Sequence, residues 1–220
     1  MSKHLTREIS RLEARLLQLA RMVESSFSQA VEALLRRDVD LARSVIRQDL
    51  LIDSMEVDVE QEGLRLLALH QPVAIDLRSI VTVLKANSDL ERIGDLLVNI
   101  AERTTEMTGE DFRSIRAVVR ELARVVEGMI EGAMGALVNQ DRETAGCVLL
   151  AYREVDSLGQ TLYDEFKRLA VVRPEVTEEL MRWLSGARNL ERIAGHATNI
   201  AEDVIYMCEG TIVRHKRASA

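Results

Sequence analysis

The chain repeats part of its own sequence one hundred residues later. The fourteen residues 90–103 and the fourteen residues 190–203 are identical at eight positions, where two unrelated helices would share about one. Upstream of these blocks the offset is 103, as between Asp38 and Asp141, so the second half is three residues shorter around its second loop. An internal duplication of this extent requires both halves to adopt the same fold.

Both halves also share one periodicity. Apolar residues recur every three or four positions, which predicts long amphipathic helices. In the first half these are residues 5–36, a second helix capped by Asp38 and ended at residues 70–72 by Pro72, and a third beyond it. The second half repeats this order with a helix over 112–138, Asp141 at the cap, Pro174 at the loop, and a last helix over about 177–208.

The predicted fold is all-α, with six helices in two tandem, internally duplicated three-helix bundles. Two prolines and 3% aromatic residues argue against a β-sandwich or barrel. Residues 108–111 (Thr-Gly-Glu-Asp) form the clearest boundary, so we expect one bundle over residues 1–108 and the other over 109–220.

Charge and cysteine usage limit the compartment and the partners. The net charge is −7, and the sequence shows no broad basic face that would neutralise nucleic-acid phosphates. Its only basic cluster is the tail Arg214–Arg217, expected to be a solvated end. The N-terminus has no signal-peptide pattern, and the apolar runs are too short to span a membrane. Cys147 and Cys208 are expected to be buried free thiols, and the protein to be cytoplasmic.

Four carboxylates of the first half lie symmetrically about Pro72. Helices joined by a tight loop run antiparallel, so residues equidistant from the loop face each other. Asp49 is therefore expected beside Asp95, and Asp53 beside Glu91. Each helix carries its two acids at i, i+4, about 5–6 Å apart on one face. The four acids are thus expected to converge on one small volume, with Glu91, Asp95 and Glu102 on a shoulder of the apolar stripe of their helix.

Such a group of like charges needs compensation. Neither Asp49 nor Asp53 has a Lys or Arg four residues away, and Asp95 has only Arg92 three residues before it. A cation held by oxygen ligands, such as Mg, Mn, Ca or iron, is the natural candidate. Two alternatives remain open: the acids are simply solvated, or arginines of the third helix pair with them.

The second half keeps only part of this arrangement. Its equivalent positions are Tyr152, Asp156, Glu191 and Gly195. Asp156 and Glu191 remain a facing acidic pair, while Tyr152 and Gly195 face each other without charge. We predict a complete site in the first half and a reduced one in the second. His196 is a further candidate ligand beside Glu191, although a single helical histidine is more often packed or solvated.

Other chemistry has little support. The sequence has no Gly-rich phosphate loop, no nucleophile in a recognisable setting, no Cys and His set with zinc spacing, and no Glu-x-x-His of a di-iron bundle. We therefore predict no catalytic residue and no enzyme. A carboxylate metalloprotein, acting as a metal store or a metalloenzyme, and a plain helical adaptor without metal stay open as alternatives.

Several segments in combination resemble the PhoU family. They are Gln71-Pro72-Val73-Ala74-Ile75-Asp76-Leu77-Arg78, the block Leu90-Glu91-Arg92-Ile93-Gly94-Asp95, and residues 190–194 with 199–203 of the second half. The resemblance covers essentially the whole chain. It implies two similar three-helix bundles side by side, commonly in a homodimer.

The resemblance also implies a site and a role. The family motif is Glu or Asp, three residues, then Asp, and in some members it binds multinuclear metal clusters. Carried over, it implies a metal ion of open identity, whether iron, Mn, Mg or Zn. The implied ligands are Asp49, Asp53, Glu91, Asp95, Asp156 and Glu191.

Family members are negative regulators of phosphate signalling. When phosphate is plentiful they restrain the phosphate-specific ABC transporter and hold the phosphate-sensing histidine kinase in its inactive or phosphatase state. The implied partners are the transporter's ATPase subunit and the kinase's sensory domain, with no contact to nucleic acid. Contact with the membrane is implied only through those partners.

Overall fold

A computed structural model describes residues 3–107 and 112–211. Within these ranges the chain forms six α-helices, one short 3-10 turn and no β-strand, which confirms the all-α prediction. The helices are α1 (Lys3–Arg36), α2 (Val39–His70), α3 (Ala74–Thr105), α4 (Arg113–Asn139), α5 (Arg142–Val172) and α6 (Thr177–Glu209).

The predicted helix boundaries have identifiable causes. Asp38 accepts a hydrogen bond from the Leu41 N–H at 3.0 Å, and Asp141 accepts one from the Glu143 N–H at 2.9 Å. Both N-caps are therefore confirmed. α2 ends at His70 because Gln71 adopts a left-handed conformation with φ 45°, and the proline follows it. The second proline behaves differently, since it opens a 3-10 turn over Pro174–Val176.

The repeated residues are mostly core residues. Leu90, Ile93 and Ile100 of α3 are fully buried, and so are Leu190, Ile193 and Ile200 of α6. α3 packs extensively along α6, and α1 packs on α4. One buried apolar cluster consequently runs through both halves.

An ion pair and hydrogen bonds connect α3 to α6. Lys85 Nζ lies 3.0 Å from Asp203 Oδ1, and the Asp203 side chain is 3% exposed. One oxygen of Asp89 on α3 lies 2.7 Å from His196 Nδ1 and accepts a hydrogen bond from Asn199 Nδ2 at 3.0 Å. These contacts join the two halves in a single register.

The structure corrects one sequence prediction, and other predictions concern residues outside the described ranges. Cys147 is exposed, so its predicted burial is wrong: it lies on the outer face of α5, next to the buried Val148. Cys208 is half-buried, and both thiols are free. The boundary at 108–111 and the basic tail Arg214–Arg217 fall outside the described residues, and the two domain ranges stay a prediction. No helix in the described ranges combines the length and the apolar character needed to cross a bilayer.

Candidate metal centre

The four first-half acids lie where α2 and α3 approach closely. Gly94 makes this approach possible: a Cβ at that position would lie 3.1 Å from Asp49 Oδ1 and 3.2 Å from Ile52 Cγ2. The carboxylate of Asp49 thus rests against the α3 backbone, one residue from Asp95. Asp49, Glu91 and Asp95 are half-buried, whereas Asp53 is exposed at the edge of the group.

The acids act on one another electrostatically. Burial and the negative charges of the other three acids together raise the pKa of Asp49 to about 6, burial being the largest cause. The pKa of Glu91 is also raised, mainly by burial and by Asp95, although Arg92 and His196 oppose the shift. Burial is the largest cause of a raised pKa at Glu56, one turn further along α2, and the charges of Glu60, Glu91 and Asp53 add to it. The structure therefore brings the predicted residues into one anionic patch.

Only part of this charge is compensated. Arg92 NH1 lies 3.2 Å from Asp95 Oδ2, and Arg92 Nε lies 3.6 Å from Glu91 Oε2. An arginine of the third helix thus pairs with the α3 acids, which agrees with the alternative that arginines of this helix compensate the charge. Within the described residues no Lys, Arg or His nitrogen comes within 4.0 Å of the carboxylates of Asp49 or Asp53. Two oxygen-donor side chains of α2 remain available for a cation.

The four carboxylates are close but do not surround one point. In the described ranges, no three of them each bring an oxygen within 4.8 Å of the others. Mutual repulsion between like charges accounts for this spread. A single ion held by three of these carboxylates would need rotation of at least one side chain. The donor set is oxygen only, which suits hard cations such as Mg²⁺, Mn²⁺ and iron.

Comparison with known proteins bears on this arrangement. The model of the PhoU domain matches residues 16–104 and again residues 119–204, so both halves and all the candidate acids lie inside the matches. The chain belongs to the PhoU family. As a PhoU-family protein it contains the domain twice, in agreement with the predicted duplication.

Relatives match over nearly the full length. A phosphate-specific transport system accessory protein PhoU homolog of Pseudomonas aeruginosa is 35% identical, over 98% of this chain and 89% of its own. The homolog of Clostridium acetobutylicum is 32% identical, over 92% and 93% of the two chains.

Solved PhoU structures show the same fold. The crystal structure of PhoU from Pseudomonas aeruginosa superposes with a TM-score of 0.90 at 34% identity, over 94% of this chain and 99% of that one. The phosphate transport system regulatory protein PhoU of Streptococcus pneumoniae gives 0.89 at 25% identity, over 95% and 99%.

The second half of this PhoU-family protein holds two acids where the first holds four. Asp156 is exposed and Glu191 is half-buried, with its carboxylate lying over Gly159, where a Cβ would collide with it. Burial raises the pKa of Glu191, Arg188 opposes the shift and Asp156 adds to it. A Cβ at Gly195 would meet no atom within 4 Å, so the α6 backbone there is not covered as the α3 backbone is at Gly94.

His196 is a residue of α6, but its side chain contacts α3 of the first half. Its ring bonds to Asp89, and its charge lowers the pKa of Glu91 rather than that of Glu191. The structure thus favours the packed role that is usual for a single helical histidine, because the face of α6 that carries His196 packs on α3.

The structure contains two groups that the sequence reasoning missed. A cleft of about 680 Å³ between α1 and α4 is lined by five arginines, Arg36, Arg37, Arg116, Arg120 and Arg124. The tail is thus not the only basic cluster, because two helices far apart in sequence combine their charges. His4, Glu8 and His70 form the second group. The sequence offered two signals for this second group. His4 and Glu8 are spaced i, i+4, and His70 lies about as far after the α1–α2 loop as His4 lies before it.

The raised pKa of Asp49 predicts a stability change with pH. The folded state binds a proton at about pH 6, well above the usual value of 3.8, so stability falls as pH rises from 4 through 6. Asp49→Asn should remove this loss. In chelator, we expect the free energy of unfolding at pH 7.5 to rise by about 1 kcal/mol, a figure limited by solvent screening of a half-exposed group.

Urea unfolding of both proteins between pH 4 and pH 8 checks this prediction. The difference from wild type should shrink toward pH 4, where Asp49 is already protonated. Asp156→Asn, at the exposed acid of the second half, serves as the control and should stay within about 0.5 kcal/mol of wild type. A variant Asp49→Asn that is less stable at pH 7.5 would contradict the argument.

Proposed function

We propose that this protein is a non-enzymatic cytoplasmic regulator of phosphate homeostasis. It acts with a phosphate-specific ABC transporter, restraining the transporter and holding a phosphate-sensing histidine kinase inactive while phosphate is abundant. The observation that carries the proposal is the double match of the PhoU domain, over residues 16–104 and 119–204. The names of the full-length relatives, accessory proteins of phosphate-specific transport, point the same way.

The proposal includes a metal ion at the acidic patch. The ligands would be Asp49, Asp53, Glu91 and Asp95 in the first half, with Asp156 and Glu191 as a weaker pair in the second. The support is the charge imbalance: in the described ranges Arg92 is the one Lys or Arg within 4.0 Å of the four carboxylates, and burial disfavours the ionised form of Asp49. Carboxylates in this state bind a divalent ion with release of a proton, so affinity should increase with pH.

The carboxylates would act as a charge-dependent docking surface. Asp53 is exposed and the side chain of the half-buried Asp95 is 46% exposed, so an approaching protein would feel their charge. Neutralising them by an ion removes repulsion between this face and an acidic partner. We propose the ATPase subunit of the transporter and the sensory domain of the kinase as partners, and a homodimer as the form that meets them.

Gene deletion tests the regulatory role. In medium with abundant phosphate, the deletion strain should switch on a phosphate-starvation reporter and show unrestrained phosphate uptake. Wild-type protein supplied in trans should restore both. Normal reporter and uptake in the deletion strain would contradict the proposal. Complementation by Asp49→Asn/Asp53→Asn then separates role from metal, because a regulator that needs its ion should fail to repress although the protein accumulates to normal levels.

A further inference from the structure

The first turn of α1 and the last turn of α2 place three ligand-type side chains together. The two helices are antiparallel and almost equal in length, so the start of one meets the end of the other. His4 and Glu8 lie one turn apart on α1, and His70 is the last residue of α2. This is the sole group in the described residues in which three His, Cys, Asp or Glu ligand atoms lie within 4.8 Å of one another.

The distances are close to those of a metal site. His4 Nδ1 lies 3.2 Å from Glu8 Oε2, and His70 Nε2 lies 2.6 Å from the same oxygen. Tetrahedral Zn²⁺ with bonds of about 2.0–2.1 Å separates its ligand atoms by about 3.3–3.4 Å. The His4 contact already has this length, and the His70 contact needs to open by less than about 1 Å, which side-chain rotation supplies.

The surroundings of Glu8 prepare it for this role. Glu8 is 9% exposed, and Arg65 NH2 lies 3.2 Å from its other oxygen, Oε1. Burial would raise the pKa of Glu8, but hydrogen bonds from Arg65 and His70 and the nearby charges hold it below its usual value. Arg65 is itself fixed by Glu62 at 2.8 Å. One oxygen is thus oriented by an arginine while the other faces both imidazoles, which is how outer partners orient metal ligands.

We propose that His4, Glu8 and His70 bind a borderline transition-metal ion such as Zn²⁺, at a site separate from the acidic patch. Two imidazoles and one carboxylate select Zn²⁺ over Mg²⁺ or Ca²⁺, which prefer oxygen ligands. The His4 side chain is 71% exposed, so the ion has access from solvent and water can fill the fourth position. The bound ion links the start of α1 to the end of α2. His70 lies about 30 Å along α2 from Asp49, so the two sites are independent.

Metal titration of the purified full chain tests this site. Chelator-treated protein is titrated with Zn²⁺ by calorimetry, and with Co²⁺ by its visible absorption, which distinguishes tetrahedral from octahedral coordination. We expect one tetrahedral site whose affinity falls at least about 10-fold in His4→Ala and further in His70→Ala. His4→Ala removes a largely exposed side chain and keeps the fold, as circular dichroism will verify.

Two controls locate the effect. His196→Ala replaces a half-buried histidine of α6 and should leave the Zn²⁺ site intact. Asp53→Asn/Glu91→Gln alters the acidic patch and should also leave it intact, so failure of the patch and failure of this site are distinguishable. Zn²⁺ affinity that is absent in wild type, or unchanged in both His4→Ala and His70→Ala, overturns the proposal.

Discussion

Trp183→Ala should lower the free energy of unfolding by about 3–5 kcal/mol. Trp183 is the largest fully buried side chain of the described residues and the only tryptophan of the chain. Its removal leaves a cavity in the core that both halves share. Urea unfolding followed by far-ultraviolet circular dichroism measures the loss without relying on the fluorophore that the substitution deletes.

Two variants test the cause of that loss. The indole N–H of Trp183 has no hydrogen-bond partner among the described residues, so the contribution of this side chain is packing alone. Trp183→Phe should accordingly cost clearly less than Trp183→Ala, because it leaves a smaller cavity. Met181→Ala alters a residue of the same helix that is 55% exposed, and it should stay within about 0.5 kcal/mol of wild type. An equal loss in Met181→Ala would contradict the argument, because that substitution removes no core packing and does not lower helix propensity.

Asp53→Asn/Glu91→Gln should weaken Mn²⁺ binding on the order of 100-fold, because affinity of oxygen sites depends on the number of charged ligands. The prediction rests on the metal proposed for the acidic patch. Isothermal titration with Mn²⁺ at pH 7.5, after removal of bound metal, provides the measurement. Affinity in the wild-type protein should also fall between pH 7.5 and pH 5.5, since Asp49 takes up a proton in that interval.

The duplication provides a matched control for this experiment. Asp156→Asn/Glu191→Gln makes the same chemical change at the equivalent positions of the second half. That half has only two acids, so we expect less than about a threefold change in the tightest binding. Equal losses in the two variants would contradict the predicted asymmetry between the halves. Full Mn²⁺ affinity in Asp53→Asn/Glu91→Gln would remove the acidic patch as the site.

Local sequence signals predicted what local physics determines. Asp38 and Asp141 cap helices because a carboxylate satisfies free N–H groups within three residues. Leu90 and Leu190 are buried because helical periodicity places them on the packed face. The approach of Asp49 to the α3 backbone followed from antiparallel geometry about Pro72, although the contribution of Gly94 became visible only in the structure.

Features that depend on packing between distant helices escaped prediction. Arg37 and Arg116 line one cleft because α1 lies on α4, and nothing in either segment specifies that pairing. His196 bonds to Asp89 because α6 packs on α3, whereas helical spacing alone placed it beside Glu191. His70 meets Glu8 only when α1 and α2 have nearly equal lengths, and helix ends are the least predictable part of a sequence.

The packing of α3 on α6 and of α1 on α4 pairs equivalent helices of the two halves, which is the pseudo-twofold arrangement that a symmetric dimer of one half would have. In such a dimer every contact would occur twice with identical partners. Lys85 would then face the counterpart of Asp203, which is Arg103, and two cations would meet. When the halves are joined in one chain, the two copies of a contact no longer need identical residues. The positions equivalent to Lys85 and Asp203 are occupied by Ser185 and Arg103. The ion pair between Lys85 and Asp203 is therefore a contact that only the fused chain can hold, and it fixes which half is which.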